Sequence, residues 1–420
     1  MFALIDGNNF YCSCEKAYRP ELRQQPVIVL SNNDGCVISR SNEAKDMGIR
    51  MGVPYFQIQH LVRQGKLIVF SSNYELYADL SRRMMSTIAS LVPAIEIYSI
   101  DECFASLHGL NNLHQLGHNI RSRIQQWVGI PTCVGIAPTR TLAKFCNHLA
   151  KRHRHHFNGV VVWTDWNQNI RQRALASEPV TEIWGIGRRT GHKLAAQGIH
   201  TALDFINAHT PTLRKQFGVV LERTQREMQG IPCSELITEE ANRQHIVRSR
   251  SFGSMVTNLE GLQAAISHHI TAGAAKLREQ NSQAHIIGVF IYTNRFRHDL
   301  SQYIGYRITK LPQASNDTLT LNHIARHLLN SIYRPGYEYK KCGIELSGIE
   351  PVQTFRQFDL LCHSQHNHRP ELMRAWDNIT SRYGSSSIRL GSELQSGDWL
   401  MTRTQLSNCI TTRFKEILTI

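Results

Sequence analysis

Apolar positions along this chain follow two rhythms. Through the first 165 residues, short apolar runs alternate with longer amphipathic stretches, the pattern of mixed strand and helix. The runs predict strands at Phe2–Ile5, Val27–Leu30, Leu67–Phe70, Ile95–Ile100, Cys103–Leu107, Thr132–Ile136 and Val160–Trp163. Leu80, Met84, Ile88 and Leu91 recur at three- and four-residue spacing and predict a helix over Tyr77–Leu91, and a second helix is predicted over Leu113–Trp127. From Gln168 to about Cys233 the strand signal gives way to short helical patterns punctuated by glycine. Ser234–His245 is polar and aperiodic, as a connecting segment is. Beyond it, strands are predicted at Ile286–Tyr292, Tyr303–Ile308 and Lys341–Leu346, with helices at Gly261–Glu279 and Leu321–Ser331. Residues 351–371 are rich in Gln, His and Pro without a core pattern, and a tail follows. The expected division is 1–167, a helical 168–233, a linker 234–245, an αβ unit 246–350 and a terminal block 351–420.

Composition sharpens this picture. At about 100 to 200 residues per domain, 420 residues hold two to four domains. The net charge of +14 on an ordinary apolar content of 41% excludes disorder and points to a large anionic partner, nucleic acid first. The helical stretch 168–233 carries nine basic residues against five acidic, and 246–349 carries twelve against six. Ten cysteines without a CxxC pair fit a reducing cytoplasm, the expected location. No apolar run approaches the ~18 residues of a membrane span, so no membrane partner is expected.

Two features carry chemistry. Asp6 closes the first predicted strand, and Asp101-Glu102 follows the run Ile97-Tyr98-Ser99-Ile100. Carboxylates at the ends of adjacent strands can converge, and such hard oxygen ligands suit Mg²⁺. They also serve as turn residues and helix caps. Neighbours in a regular strand point to opposite faces, so Asp101 and Glu102 share a site only where the strand ends or bends. The second feature is Ile183-Trp184-Gly185-Ile186-Gly187-Arg188-Arg189, followed by Lys193, Leu194 and Gly198-Ile199, which resembles a helix-hairpin-helix. In that motif a glycine turn exposes backbone N–H groups at a helix start, where they hold a DNA phosphate without reading sequence.

Together these features resemble the Y-family translesion DNA polymerases. The blocks that carry the resemblance are Phe2-Ala3-Leu4-Ile5-Asp6, Ser31-Asn32-Asn33-Asp34-Gly35-Cys36, Ser71-Ser72-Asn73-Tyr74-Glu75-Leu76-Tyr77, Tyr98-Ser99-Ile100-Asp101-Glu102, Thr141-Leu142-Ala143-Lys144, Trp184 to Arg189 and Arg248-Ser249-Arg250-Ser251-Phe252-Gly253. Ser31–Cys36 and Ser71–Tyr77 favour the UmuC branch over the DinB branch. The resemblance implies an α+β right hand of palm, fingers and helical thumb, with a separate αβ little-finger domain and a C-terminal tail. It implies error-prone extension of primers past damaged bases in SOS mutagenesis, on primer-template DNA with deoxynucleoside triphosphates. Two Mg²⁺ ions would be held by Asp6, Asp101 and Glu102, with the Gly7 carbonyl a further ligand. Tyr11 falls at the steric gate that excludes ribose. Lys45 and Lys151 align with triphosphate contacts, while Asn42 stands where many such polymerases carry tyrosine. Gly185, Gly187, Arg188, Arg189 and Lys193 would hold DNA.

Gln357-Phe358-Asp359-Leu360-Leu361 resembles the pentapeptide that docks bacterial polymerases on the sliding clamp, with Gln357, Leu360 and Leu361 as anchors. The tail resembles those that associate with a cleaved UmuD-type accessory protein, and the resemblance adds a RecA filament as activator. Thr402, Asn408 and Cys409 depart from the tail pattern. Cys362, His363, His366 and His368 are too crowded for the usual paired zinc arrangement, and the histidines there, like His153, His155 and His156, read as partly charged surface histidines near DNA or in a loop. The competing readings are a non-catalytic, clamp-recruited DNA-binding accessory protein and a metal-dependent nuclease. A pure binder places no demand on three metal-ligand acids.

Overall fold

The structure is a computed structural model that describes residues 1–237, 241–352, 369–384, 386–393 and 401–417. They pack as two units, one of Met1–Glu240 with Thr404–Ile420 and one of Ala241–Arg403. The terminal block is thus shared: residues 370–393 belong to the second unit and 404–417 to the first.

The first unit begins β1 (Phe2–Gly7), α1 (Phe10–Ala17), β2 (Val27–Leu30), β3 (Val37–Arg40), α2 (Asn42–Asp46), α3 (Tyr55–Arg63) and β4 (Ile68–Ser71). It continues with α4 (Tyr74–Ala89), β5 (Ala94–Ile97), β6 (Glu102–Ser106), α5 (Leu113–Val128), β7 (Thr132–Ala137), α6 (Arg140–Arg152), α7 (Arg154–Phe157) and β8 (Val160–Val162). Helices α8 (Gln168–Ser177), α9 (Arg188–Ala195), α10 (Ala202–Asn207), α11 (Thr210–Phe217) and α12 (Val219–Met228) form the helical region. Five strands lie in the order β5-β6-β1-β7-β8, antiparallel except for β7 and β8, and β3-β2-β4 form a second sheet.

Alternation along β1 sets the layers. Ala3 and Ile5 join the core beneath α4 and α5, whereas Leu4 joins Phe104, Cys133 and the apolar face of α6 on the other side. Helix α6 lies unusually close to the sheet because Gly135 of β7 faces it without a side chain. A Cβ at Gly135 would sit 2.2 Å from the Ala143 carbonyl oxygen and 2.2 Å from the Asn147 nitrogen, both backbone atoms. Asn147, buried, spans the gap by donating to Leu4 O (3.2 Å) and Cys133 O (2.8 Å). Gly135→Ala therefore forces helix and sheet apart, and a loss of about 3 kcal/mol is expected in the unfolding of this unit. Chemical denaturation checks it; an alanine variant as stable as the parent would disprove the close approach.

The second unit runs β9 (Ile246–Val256), α13 (Leu259–Glu279), β10 (Ser282–Thr293), β11 (Ile304–Ser315), α14 (Thr318–Ile332), β12 (Tyr339–Pro351) and α15 (Pro370–Tyr383). Its antiparallel sheet has the order β11-β10-β12-β9, and α13 and α14 share its core. Up to β12 this is a βαββαβ arrangement. Helix α15 rests on it through Met373 and Trp376, and Asp377 receives a two-pronged bond from Arg278 (2.6 and 2.7 Å).

Candidate active site

The same alternation that puts Leu4 on the α6 face puts Asp6 there. In the β1–β6 ladder Asp6 stands directly opposite Glu102, so both carboxylates leave the sheet on one side. The run expected as a strand over Ile95–Ile100 stops at Ile97, where β5 ends, and instead of closing it Glu102 opens β6 with Asp101 just before. Tyr98 to Asp101 form the turn between them, closed by bonds from Tyr98 N and Ser99 N to Glu102 O. Asp101 therefore escapes strand alternation. Its carbonyl accepts the Gly7 N–H at 2.7 Å, and Ser99 Oγ donates to its carboxylate. A Cβ on Gly7 would come within 2.9 Å of the Phe10 ring, which keeps this crossing glycine.

Helix α6 answers the acids with cations two turns apart. Lys144 Nζ lies 2.8 Å from Glu102 Oε1 and 4.5 Å from the Tyr98 ring centre. Lys151 Nζ lies 2.5 Å from Asp6 Oδ2. Asp6 is only 8% exposed, and burial pushes its carboxyl up to about 6. Lys151 opposes that rise, while the charges of Asp101 and Glu102 add to it. A buried carboxylate flanked by two more is a set of hard oxygen donors that calls for positive charge, and divalent cations such as Mg²⁺ fit it.

Across the cleft the charge is reversed. Asn9 adopts a left-handed backbone (φ 49°), which asparagine tolerates better than most residues, at the turn from β1 into α1. Its amide donates to Asn42 Oδ1 (3.1 Å) and its carbonyl accepts from Lys45 Nζ (2.6 Å). Lys45 as a whole is solvent-exposed, yet partial desolvation of its ammonium, then the Arg40 and Lys151 charges, hold its pKa below the usual range. Arg40 donates to Ile49 O at 2.6 Å, and its buried Nε has no hydrogen-bond partner among the described residues. Asp6, Gly7, Tyr11, Arg40, Lys45, Asp101 and Lys151 line one cleft of about 350 Å³. Tyr11, half-buried, forms part of its wall and stacks on Tyr77 with ring centres 4.6 Å apart and planes 17° apart.

Gly185, with φ 92°, and Gly187, the residue before α9, make the hairpin turn of the helical region. Arg188, Arg189 and Lys193 are exposed on α9. The structure thus brings Asp6, Gly7, Tyr11, Lys45, Asp101 and Lys151 to one cleft, with Glu102 beside Asp6, and leaves the hairpin residues apart from it. Gln357, Leu360 and Leu361 lie outside the described residues, as do Cys362, His363, His366 and His368. Among the described residues no group of three His, Cys, Asp or Glu side chains is set to hold a metal by itself. Sequence reasoning missed Asn9, Arg40 and Lys144. Lys144 ends the run Thr141-Leu142-Ala143-Lys144, but nothing in sequence pairs it with Glu102.

The impB/mucB/samB family model matches residues 5–148, its C-terminal domain matches 243–360, and a domain of unknown function, DUF4113, matches 370–420. Protein ImpB of Salmonella typhimurium is 41% identical over 99% of both chains. The chain belongs to the impB/mucB/samB family. Another similar member is Protein UmuC of Salmonella typhimurium, 40% identical over the full length of both. Outside the named members, DNA polymerase IV of Moorella thermoacetica is 28% identical over 92% of this chain and 94% of its own. Among solved structures, a Y-family DNA polymerase chimera of Dbh and Dpo4 superposes with a TM-score of 0.64 at 21% identity, covering 84% of this chain and all of its own. A ternary complex of Dbh DNA polymerase gives a TM-score of 0.54 at 20% identity, over 84% and 100% of the two chains. This impB/mucB/samB chain has the Y-family polymerase fold. Among its described residues no helix is long and apolar enough to cross a membrane.

Proposed function

We infer that this chain is an error-prone, DNA-directed DNA polymerase of the UmuC type, which extends primers past damaged template bases in SOS mutagenesis. The observation that carries the reading is the meeting of Asp6, Asp101 and Glu102 at one end of a sheet, with Lys45 and Arg40 lining the same cleft as Asp6 and Asp101. The reaction joins the primer 3′-oxygen to the α-phosphorus of a deoxynucleoside triphosphate and breaks its bond to pyrophosphate. Asp6, Asp101, Glu102 and the Gly7 carbonyl would hold two Mg²⁺ ions, which supply activation of the attacking hydroxyl and charge relief at the leaving oxygen. Lys45, Arg40 and Lys151 attract and orient the triphosphate, the ammonium groups as point charges and the guanidinium as a fork. The Tyr11 ring occupies the space a ribose 2′-hydroxyl needs. At the hairpin, the amides after Gly185 and Gly187, with Arg188, Arg189 and Lys193, grip the DNA backbone without reading bases.

The wider assembly follows the family resemblance: a cleaved UmuD-type protein and a RecA filament as activators, and a sliding clamp engaged by Gln357, Leu360 and Leu361, all in the cytoplasm. Primer extension with Mg²⁺ and deoxynucleotides, supplied with accessory protein and filament, tests the function. Template-directed growth is expected. A shift in DNA mobility without growth would favour the accessory-protein reading, and shortening of the primer would favour a nuclease.

A further inference from the structure

Two blocks that favour the UmuC branch, Ser31–Cys36 and Ser71–Tyr77, contribute no side chain to the cleft, and the reaction leaves them unexplained. Both are occupied by the tail. Asp34, held with a left-handed backbone (φ 49°), accepts Ser71 Oγ on one carboxylate oxygen (2.6 Å). Its other oxygen accepts the Thr404 N–H (2.9 Å) and hydroxyl (3.0 Å). Ser71 ends β4, an edge strand, and the tail bonds to its end: Ser71 N donates to Gln405 O (2.9 Å) and Gln405 N to Ser71 Oγ (3.0 Å). Asn73 caps α4 by accepting the Leu76 N–H, and its amide donates to Ser407 O and Ser407 Oγ, both at 3.0 Å. Arg413 adds Glu75 at 2.8 Å.

One contact of this set reaches the gate. Ser407, 7% exposed, donates its hydroxyl to Glu15 Oε1 (2.9 Å), the same oxygen that accepts the Tyr77 hydroxyl (2.7 Å). The other Glu15 oxygen pairs with Arg19 at 2.6 Å. Glu15 is 1% exposed, and a carboxylate so buried is held by its donors, so losing one weakens its grip on the rest. Tyr77, fully buried, is the ring on which Tyr11 stacks, and Tyr74 meets both edge-on at 6.1 and 6.4 Å. A chain of direct contacts thus runs from Ser407 through Glu15 and Tyr77 to Tyr11.

We propose that tail residues 404–413 complete the sugar-selecting pocket, with Ser407, Glu15, Asn73 and Tyr77 acting as positioning residues that hold the Tyr11 ring against an incoming 2′-hydroxyl. The proposal rests on the reading of Tyr11 as steric gate. It makes sugar choice a property of the docked tail as well as of the cleft, so that a partner drawing the tail away would relax it.

The test uses the full-length chain with accessory protein and filament in every arm, and reads the ratio of kcat/KM for a deoxynucleotide over its ribonucleotide. Ser407→Ala and Tyr77→Phe each remove one hydroxyl and keep the fold's volume. Each is expected to lower the ratio about threefold to tenfold, less than the full worth of a hydrogen bond to a charged acceptor because the loss reaches the gate through an intervening ring. Ser407→Thr, which keeps the hydroxyl, should hold the parental ratio. In a Tyr11→Ala background the Ser407 and Tyr77 changes should leave the ratio where Tyr11→Ala alone put it, because the relay acts through that ring. General damage to the protein slows both sugars together and does not move the ratio. If Tyr11→Ala lowers the ratio while both Ser407→Ala and Tyr77→Phe leave it intact, the relay is refuted and the gate stands. A fall that persists in the Tyr11→Ala background also refutes the relay. An unchanged ratio in Tyr11→Ala alone removes the gate, and the proposal with it.

Discussion

Asp101→Asn or Glu102→Ala should each lower single-turnover nucleotide incorporation by about 10³-fold or more, while primer-template affinity stays within about twofold. Removing one hard oxygen ligand forfeits several kcal/mol of transition-state stabilisation, and each ~1.4 kcal/mol is a factor of ten. Neither change should disturb the scaffold. Asn at 101 keeps the carbonyl that receives the Gly7 N–H and an oxygen for Ser99. Ala at 102 frees Lys144, which retains the Tyr98 and Trp184 rings at 4.5 and 5.2 Å from its ammonium. On the proposed reading DNA affinity would come from other residues, the exposed arginines of α9 among them. Rapid-quench incorporation with parallel anisotropy titrations reads both quantities; parental rates in both variants would remove the acids from the chemistry.

Tyr11→Ala should lower the deoxynucleotide-to-ribonucleotide ratio of kcat/KM by about 10- to 100-fold, the range in which pocket shape discriminates a single hydroxyl. The ring is half-buried, with its face against Tyr77, so its position is set by packing and an alanine leaves open space. Tyr11→Phe supplies the control. Burial pushes the Tyr11 hydroxyl up to about 12, so the group is neutral at working pH, and removing it changes no charge in the cleft. The phenylalanine variant should keep the parental ratio. Equal ratios in the parent and the alanine variant would return Tyr11 to the core.

Much of the α6-facing half of the site is legible in sequence because strand alternation is a strict code. Once Leu4 is apolar and inward, Asp6 shares its face, and a pairing of the two runs predicts the meeting with Glu102. The other half is not legible. Lys45, Asn9 and Arg40 meet through a left-handed turn and a short helix, neither of which leaves a periodic signal. Strand β9 escapes the pattern for a related reason. Of its eleven residues only Ile246, Phe252 and Val256 are buried, while Arg248 and Arg250 interrupt the alternation. Helix α15 stayed hidden as well, since only Met373 and Trp376 of its fourteen residues are buried. The tail's attachment lies beyond any local rule, because its partners are the carboxylates of Asp34, Glu15 and Glu75 with Ser71 and Asn73, all far away in sequence.

That attachment also orders events in time. Ser407 is 334 residues from Asn73 and 392 from Glu15, so this is a contact of very long sequence separation. At about 5 to 20 residues per second, synthesis delivers Ser407 roughly 20 to 70 seconds after Asn73 leaves the ribosome. Through that interval Glu15 lacks one of the donors that hold it in the folded unit. The last hydroxyl arrives 392 residues after the carboxylate that accepts it. A chain released before residue 407 would carry all three acids yet lack one donor to Glu15, so the interior beside Tyr77 registers whether the tail has been made.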